Sequence, residues 1–397
     1  MTGSASISQL IFSEPAWANY SIQGNIQKSR EFERQQIRLD IARDAAITYI
    51  NVLRAGNFER IQKDNLERSR TNLELARIRE SVGYSGRSEV FRWESEIASR
   101  RNALIIANSN RNLTEIFLNR ILHRPLEEPF ELLETNLNSE SLQILHQAII
   151  PYFKNKILFR TFRDFMAEES FTNSPELQGL DAAIKAQNRL LASSKRAFWL
   201  PAVGMQAGVS NRFSQSGAGT ESALAGISIP GLDQLSFPQA DDTNWNIGVT
   251  ASFSLFTSGA KLAAKNKASL ELNQLEYQYR SVQDKIDQRV RSALHKAGAS
   301  YAGIEQSQKA AEAANKSLDL VTDAYSQSVV SIIELIDAQN AALIASLGAA
   351  NAVFDFLIDF FEVERSVGQF SFFRTSEEQA QLNQRLKAYF VKAGLED

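Results

Sequence analysis

Three short stretches of the chain show an alternation of apolar and polar residues, which is most regular in the second and third. They cover residues 6–12, 203–209 and 245–256. In the third stretch every second residue is apolar: Trp245, Ile247, Val249, Ala251, Phe253 and Leu255. Because successive side chains of a β-strand point to opposite faces, the alternation predicts strands with one apolar and one polar face. A Gly/Ser-rich loop at about residues 214–242 should join the second strand to the third.

A much longer stretch carries apolar residues at helical spacing. The pattern runs over residues 259–325, restarts at residue 332 and continues to residue 361. A helix over the first of these ranges would be about 100 Å long at about 1.5 Å per residue. Residues 326–331 interrupt the pattern, so we predict an antiparallel hairpin of two long helices with its tip there.

The first third of the chain repeats this arrangement. A helical pattern covers residues 16–80, a tip with two glycines follows at residues 83–87, and a return helix covers residues 88–122. A shift of 245 residues aligns Glu89 of the first hairpin with Glu334 of the second. Two similar units are therefore expected.

The predicted organisation has five parts along the chain. They are a first repeat at 1–125 with a strand at 6–12 and a hairpin at 16–122, an irregular equatorial collar at 126–172, a helix, strand and loop at 173–250, a second repeat at 251–372, and a polar, peripheral tail at 373–397.

Composition and charge exclude several functions. The 397 residues include 43 Lys and Arg against 46 Asp and Glu, without a basic block, so no nucleic-acid partner is expected. Cysteine is absent, which removes disulfides and thiolate metal sites. His123, His146 and His295 lie far apart, and neither a phosphate-binding loop nor a nucleophile elbow occurs. We therefore expect no enzyme activity, no metal site and no cofactor.

Two observations bear on localisation. The first residues have neither the basic nor the apolar region of a secretory signal. The most apolar stretch, residues 341–361, is interrupted by Asn351, Asp355 and Asp359 on one helical stripe, which argues against a lipid-embedded helix.

Four segments, in their order along the chain, resemble the bacterial outer-membrane efflux protein family, the TolC-like exit ducts. They are ARIRESVGYSGRSEVFRWESEIA (76–98), ILHRPLEEPFEL (121–132), NSPELQGLDAAIKAQNRLLASSKRAFWLPAVGMQAGVS (173–210) and SFSLFTSGAKLAAKNKA (252–268). The resemblance implies a mainly α fold with a few β-strands, built from two tandem repeats of a strand and a long helical hairpin.

The resemblance also implies an assembly. Three copies would form an α-helical barrel across the periplasm, topped by a shared transmembrane β-barrel in outer-membrane lipid. The expected partners are a periplasmic adaptor and an inner-membrane transporter. The counterpart of residues 174–250 in the first repeat would precede residue 6, so we expect this chain to lack the start of that repeat and a signal peptide.

Two acidic residues of the second tip match an aperture motif of this family. The segment IIELIDAQ, residues 332–339, places Glu334 and Asp337 one helical turn apart on one face. Threefold symmetry would turn them into rings of carboxylates, which favour cations at a constriction. The alternative is an ordinary solvated helix face.

Tyr325 matches a tip tyrosine that, in the family, joins its hairpin to an acidic residue of the other repeat. Glu89 is the matching acid, and a tyrosine hydroxyl can donate a hydrogen bond to a carboxylate. Alternatively, Tyr325 only ends the apolar seam. The family's second latch arginine falls on Val330, and we expect that Arg92 could pair with Asp337 in its place.

The tips themselves are the expected adaptor contact. Gly83 and Gly86 should allow the first turn to adopt positive φ, and Ser88 and Ser331 lie beside the turns. The alternative is a plain helix–helix turn with no partner. Trp93 is expected to pack within the hairpins.

The resulting hypothesis is a passive outer-membrane exit duct of an efflux or type I secretion system, gated at its helical tips. The alternative is a soluble coiled-coil scaffold or a non-functional truncated duct. The apolar strand faces favour the duct, since a soluble scaffold has no use for a lipid-facing stripe.

Overall fold

The computed structural model describes residues 2–130, 151–153, 155–214 and 241–395. In chain order its elements are β1 (Thr2–Phe12), α1 (Glu14–Ser81), α2 (Arg87–Ile121), α3 (Lys156–Asn173), α4 (Pro175–Arg196), β2 (Ala202–Arg212), β3 (Thr243–Ser252), α5 (Ala260–Ser326), α6 (Ile332–Val367), a 3-10 turn (Ser371–Phe373) and α7 (Ser376–Lys392). The fold is mainly helical with a small sheet, as predicted. The predicted loop at 214–242 lies almost entirely outside the described residues.

The chain divides into two compact units that do not coincide with the two repeats. The first unit comprises Met1–Glu31 and Gln178–Tyr279, and the second comprises Phe32–Leu177 and Arg280–Asp397. Each unit therefore draws on both repeats, and the five-part organisation remains a prediction.

The first unit contains an antiparallel sheet in the order β1–β2–β3. Ile7 pairs with Ala207, which pairs with Ile247, while the neighbouring row joins Ser8, Gln206 and Gly248. Because neighbouring rows face opposite sides of a sheet, the apolar residues of three strands meet on one face. The predicted two-faced strands are confirmed.

The third strand is shorter than predicted. It ends at Ser252, so Phe253 and the following apolar residues lie beyond it. Ser258 and Gly259 have φ values of 48° and 83°, which turn the chain into α5. The side chain of Lys261 then folds back to donate to the Ser254 carbonyl at 2.6 Å. A turn that positions the start of α5 therefore replaces the last residues of the expected strand.

The ends of the helices repeat at one spacing. Ser81 and Ser326 end α1 and α5, Arg87 and Ile332 begin α2 and α6, and each pair is 245 positions apart. The two turns also share their hydrogen bonds. The amide of Tyr84 donates to the Arg79 carbonyl at 2.8 Å, and that of Val329 donates to the Ala324 carbonyl at 2.9 Å. Both helices thus end in the same type of C-terminal motif.

The collar and the tail differ from their predictions. The predicted irregular collar instead contains most of a regular helix, α3, which runs from Lys156 to Asn173 and is capped by the side chain of Asn155. The tail is not merely polar and peripheral, because α7 starts with a capping box at Thr375 and packs against α3. Phe390 of α7 is buried and packs against Tyr152, which in turn stacks on Phe162 of α3. Residues 131–150 and 154 of the collar lie outside the described residues.

Within the described residues, α6 is the one helix long and apolar enough to cross a membrane by length and composition. In the second unit it packs instead against α1. Phe354 and Leu357 of α6 share a buried cluster with Ile50 and Leu53 of α1. Asp355 pairs with Arg54 beside this cluster.

Candidate functional site at the hairpin tips

The tips of the two hairpins share one apolar core in the second unit. Its buried members come from α1, α2, α5 and α6: Ala76, Val90, Trp93, Leu318, Tyr325, Ile332, Leu335 and Ala342. Trp93 and Tyr325 are the largest, and each is 0% exposed. The prediction that Trp93 packs within the hairpins is confirmed.

Tyr325 lies in the last turn of α5 and reaches α2 in the other hairpin. Its Oη donates a hydrogen bond to Oε2 of Glu89 at 2.9 Å. Burial raises the pKa of Tyr325 above its ordinary value, and the Glu89 carboxylate adds to the rise. The hydroxyl therefore keeps its proton and remains a donor. Tyr325 thus ends the apolar seam and also contacts the acidic residue expected for it.

Arg79 is a third member of this cluster that sequence reasoning missed. It lies in the last turn of α1 and is only 8% exposed. Its guanidinium donates to the backbone carbonyl of Tyr325, and its central carbon lies 4.4 Å from the centre of the Tyr325 ring. The sequence did hold a signal: Arg79 follows Ala76 on the buried stripe of α1, where an apolar residue would be usual.

The first turn uses one of its glycines as predicted and the other differently. Gly83 adopts a φ of 78°, as the left-handed end of α1 requires. The prediction for Gly86 was wrong: its φ is −84° and its ψ is 156°, because it is the N-cap of α2 and must enter the helix from extended backbone. Ser328, at the position equivalent to Gly83, has a φ of 63°.

Ser88 and Ser331 are both exposed beside the turns. Ser331 caps α6, because its side chain accepts a hydrogen bond from the Glu334 amide. This cap gives Ser331 a structural role in addition to any contact with a partner.

Glu334 and Asp337 lie in the first turns of α6, and both are exposed. Within the described residues neither carboxylate has a salt-bridge partner. Arg92 of α2 is also exposed, and the structure does not bring it into an ion pair with Asp337. The acidic pair is therefore available to solvent or to another chain.

A further polar contact between the hairpins lies farther from the tips. Arg100 of α2 pairs with Glu96 on its own helix and donates to the side chain of Asn340 on α6. In the described part of the chain, no group of His, Asp and Glu side chains could hold a metal ion.

The sequence model of the outer membrane efflux protein family matches residues 167–369. This range covers half of the chain and includes the whole second hairpin, α5 and α6. The chain belongs to the outer membrane efflux protein family. No curated protein sequence matches it significantly.

The folds of solved structures agree with this family membership. The outer-membrane channel OprN matches with a TM-score of 0.71 at 14% identity, covering 93% of this chain and 81% of OprN. The channel CusC matches with the same TM-score at 13% identity, covering 93% of this chain and 83% of CusC. The open state of the Neisseria gonorrhoeae MtrE channel matches with a TM-score of 0.69 at 16% identity, covering 93% and 79%. At these identities the similarity establishes the fold of such channels.

Membership in the efflux family establishes the location and the general role of this chain. It is an outer-membrane exit duct for efflux. The members of this family, like the proteins whose solved structures share the fold, are channel proteins. The tip cluster is therefore best considered as part of a channel.

Proposed function

We propose that this chain is one protomer of a homotrimeric, passive exit duct whose periplasmic end opens when the tips of its hairpins separate. The duct performs no chemistry and needs no cofactor. It docks through its tips onto a periplasmic adaptor and receives substrate from an inner-membrane transporter.

The sheet supports the membrane part of this proposal. Ile247 and Val249 of β3 are about two-thirds exposed, at 66% and 67%, on the apolar face of the sheet. An apolar face of this kind gains by contact with lipid, and a strand edge in a membrane must pair with another strand. Pairing between copies of the chain would satisfy both requirements. A soluble scaffold would leave both unmet.

The hydrogen bond between Tyr325 and Glu89 carries the proposal of a gate. It joins α5 of one hairpin to α2 of the other beside both turns. A hydrogen bond to a charged group contributes about 1.5–3 kcal/mol. Its loss should therefore shift an opening equilibrium by roughly tenfold or more, since about 1.4 kcal/mol corresponds to a factor of ten.

The acidic pair supports a cation-binding constriction. Glu334 and Asp337 are exposed and unpaired within the described residues, one helical turn apart on α6. Threefold symmetry would repeat each carboxylate three times around one axis, and such rings favour cations. The solvated turns beside them, including Ser88 and Ser331, are the proposed adaptor contact.

Planar-bilayer recording tests this function. The purified protein should form discrete ion-conducting pores that are mostly closed. Tyr325→Phe combined with Glu89→Gln should raise the open probability by roughly tenfold, because the bond between the hairpins is lost. Tyr84→Phe is the matched control, since Tyr84 is a tip tyrosine that is 76% exposed. A protein that forms no pore would contradict the duct, and unchanged opening in the double variant would contradict the gate.

A further inference from the structure

Arg79 is a buried cation in a seam of apolar residues. Its neighbour one turn earlier on the same stripe, Ala76, is fully buried in the tip core. A buried charge is unfavourable unless a partner offsets it. Within the described residues no carboxylate pairs with Arg79, and its Nε has no hydrogen-bond partner. Its compensation must come from groups other than an acid.

Tyr325 of the other hairpin supplies that compensation. The Arg79 guanidinium lies over the Tyr325 ring, whose face attracts cations, and it donates to the Tyr325 carbonyl. That carbonyl is one of the last four of α5, at the negative end of the helix dipole. It also accepts a hydrogen bond from the Ser328 amide at 2.9 Å, within the second tip turn. Arg79, which belongs to the first hairpin, therefore caps the C-terminus of α5 in the second hairpin.

The two ends of Tyr325 are thus held by two different helices. Glu89 of α2 accepts from the hydroxyl, while Arg79 of α1 binds the carbonyl and the ring face. The Arg79 backbone is itself part of the first tip turn, since its carbonyl accepts from the amides of Tyr84 and Ser85. Arg79 consequently ties one tip turn to the other, and its contacts with Tyr325 exist only while the hairpins are together.

We propose that Arg79 is a positioning residue of the gate, a second link that holds Tyr325 in the closed arrangement independently of Glu89. This inference rests on the proposed function, because it takes separation of the tips as the opening step. It predicts that Tyr325→Phe, which keeps the ring and the carbonyl, leaves one link intact.

A distance measurement between the tips tests the link without requiring a pore. The chain has no cysteine, so Tyr84→Cys and Val329→Cys place spin labels at only two positions, one on each turn. Both side chains are exposed, at 76% and 74%. Pulsed electron paramagnetic resonance on the purified full chain, with labelled protomers diluted into an excess of unlabelled ones so that distances within one protomer are measured, should give one short distance. Arg79→Met should add a second, longer population.

Arg77→Met is the matched control. Arg77 lies on the same helix, loses the same charge on substitution, and pairs with Glu94 of its own hairpin at the surface. It should leave the distance distribution unchanged. Arg79→Lys keeps a cation that can reach the ring and the carbonyl, so it should recover part of the short population. Arg79→Lys also keeps the test available if Arg79→Met does not accumulate as folded protein.

Three results separate the inference from the function on which it rests. An unchanged distribution in Arg79→Met overturns the link. Longer distances in Arg79→Met, without any change of conductance in it or in the Tyr325→Phe and Glu89→Gln double variant, support the link and overturn the gate. Raised open probability in that double variant but not in Arg79→Met supports the gate and overturns the role of Arg79 in it. If both proposals hold, Arg79→Met should raise the open probability by roughly tenfold.

Discussion

Arg365, buried near the end of α6, donates through Nη2 to Oε1 of Glu176 in the first turn of α4, at a distance of 3.0 Å. Arg365 is 3% exposed and also pairs with Asp40 of α1 at 2.6 Å. Glu176 accepts in addition from Ser174 at 2.7 Å and from Arg289 at 3.2 Å. Three long helices and the start of α4 therefore meet at one charge network in the second unit.

Glu176→Gln should destabilise this unit. The substitution removes a charge that faces the buried Arg365, and breaking a buried ion pair typically costs about 3 kcal/mol or more. Denaturant unfolding in detergent should show this loss as a lower midpoint. Asp181→Asn is the control, because Asp181 lies on the same helix in an exposed pair with Lys185 and should cost less than about 1 kcal/mol. Equal midpoints for wild type and Glu176→Gln would contradict the prediction.

The same network predicts a dependence on pH. Burial alone would raise the pKa of Glu176, but the Ser174 hydroxyl and the Arg365 charge reverse this and lower it from 4.5 to about 2. A lowered pKa in the folded state gives stability that is present above the unfolded value and is lost as the pH falls. The difference in stability between wild type and Glu176→Gln should therefore shrink as the pH falls from 4.5 towards about 2. A difference that grows with acid would refute this reasoning.

Phe390→Ala should release α7 from α3. Phe390 is 4% exposed in the described structure, and truncating a buried phenylalanine costs about 3–5 kcal/mol. Since α7 is a short helix of 17 residues, we expect local undocking rather than global unfolding. Amide hydrogen exchange should speed up in α7 but not in α6. Val391→Ala is the control, because Val391 is largely exposed on the same helix.

A charged substitution should be unfavourable on one face of β3 and tolerated on the other. Ile247 lies on the apolar face and its neighbour Asn246 on the polar face. Arginine on the lipid face of a membrane strand costs about 2–4 kcal/mol near the middle of the bilayer, whereas substitutions on the lumen side are tolerated. Ile247→Arg should therefore lower the amount of folded protein in outer membranes, and Asn246→Arg should not. Comparable losses in both variants would argue against a lipid-facing sheet.

Neutralising the acidic pair should weaken cation selectivity. Glu334→Gln combined with Asp337→Asn should move the reversal potential in a salt gradient towards zero and reduce block by divalent cations, because the proposed rings lose their charge. Glu312→Gln removes an exposed carboxylate of α5 that pairs with Lys316 and should change neither property. An unaltered reversal potential in the double variant would mean that these residues form an ordinary solvated face.

The hairpins and the strand faces could be predicted because they follow from local periodicity. Apolar residues at helical spacing predicted α5 and α6 to within one residue at the tip, where the helices end at Ser326 and begin at Ile332. Alternation predicted the faces of β1, β2 and β3. The pair formed by Tyr325 and Glu89 came from the resemblance to the family, since nothing in the local pattern joins residues so far apart.

Local periodicity also misled at particular residues. The apolar Phe253 continued the alternation of β3, but the turn before α5 took precedence over the pattern. A glycine at position 86 suggested positive φ, although the start of α2 required extended backbone there. Because the tail is rich in charged residues, its sequence did not predict that Phe390 of α7 is buried.

The sequence alone therefore determined the repeat, the long hairpins and the two-faced strands, since each of these is recorded in the spacing of residues along the chain. The resemblance of four segments to known members indicated the family. Only the tertiary structure decided which groups of one hairpin offset the cost of burying polar and charged groups of the other. The guanidinium of Arg79 lies on the carbonyl and ring of Tyr325, 246 positions away. A backbone carbonyl belongs to every residue and leaves no trace in the sequence, so its partner is settled only when packing brings the two helices together.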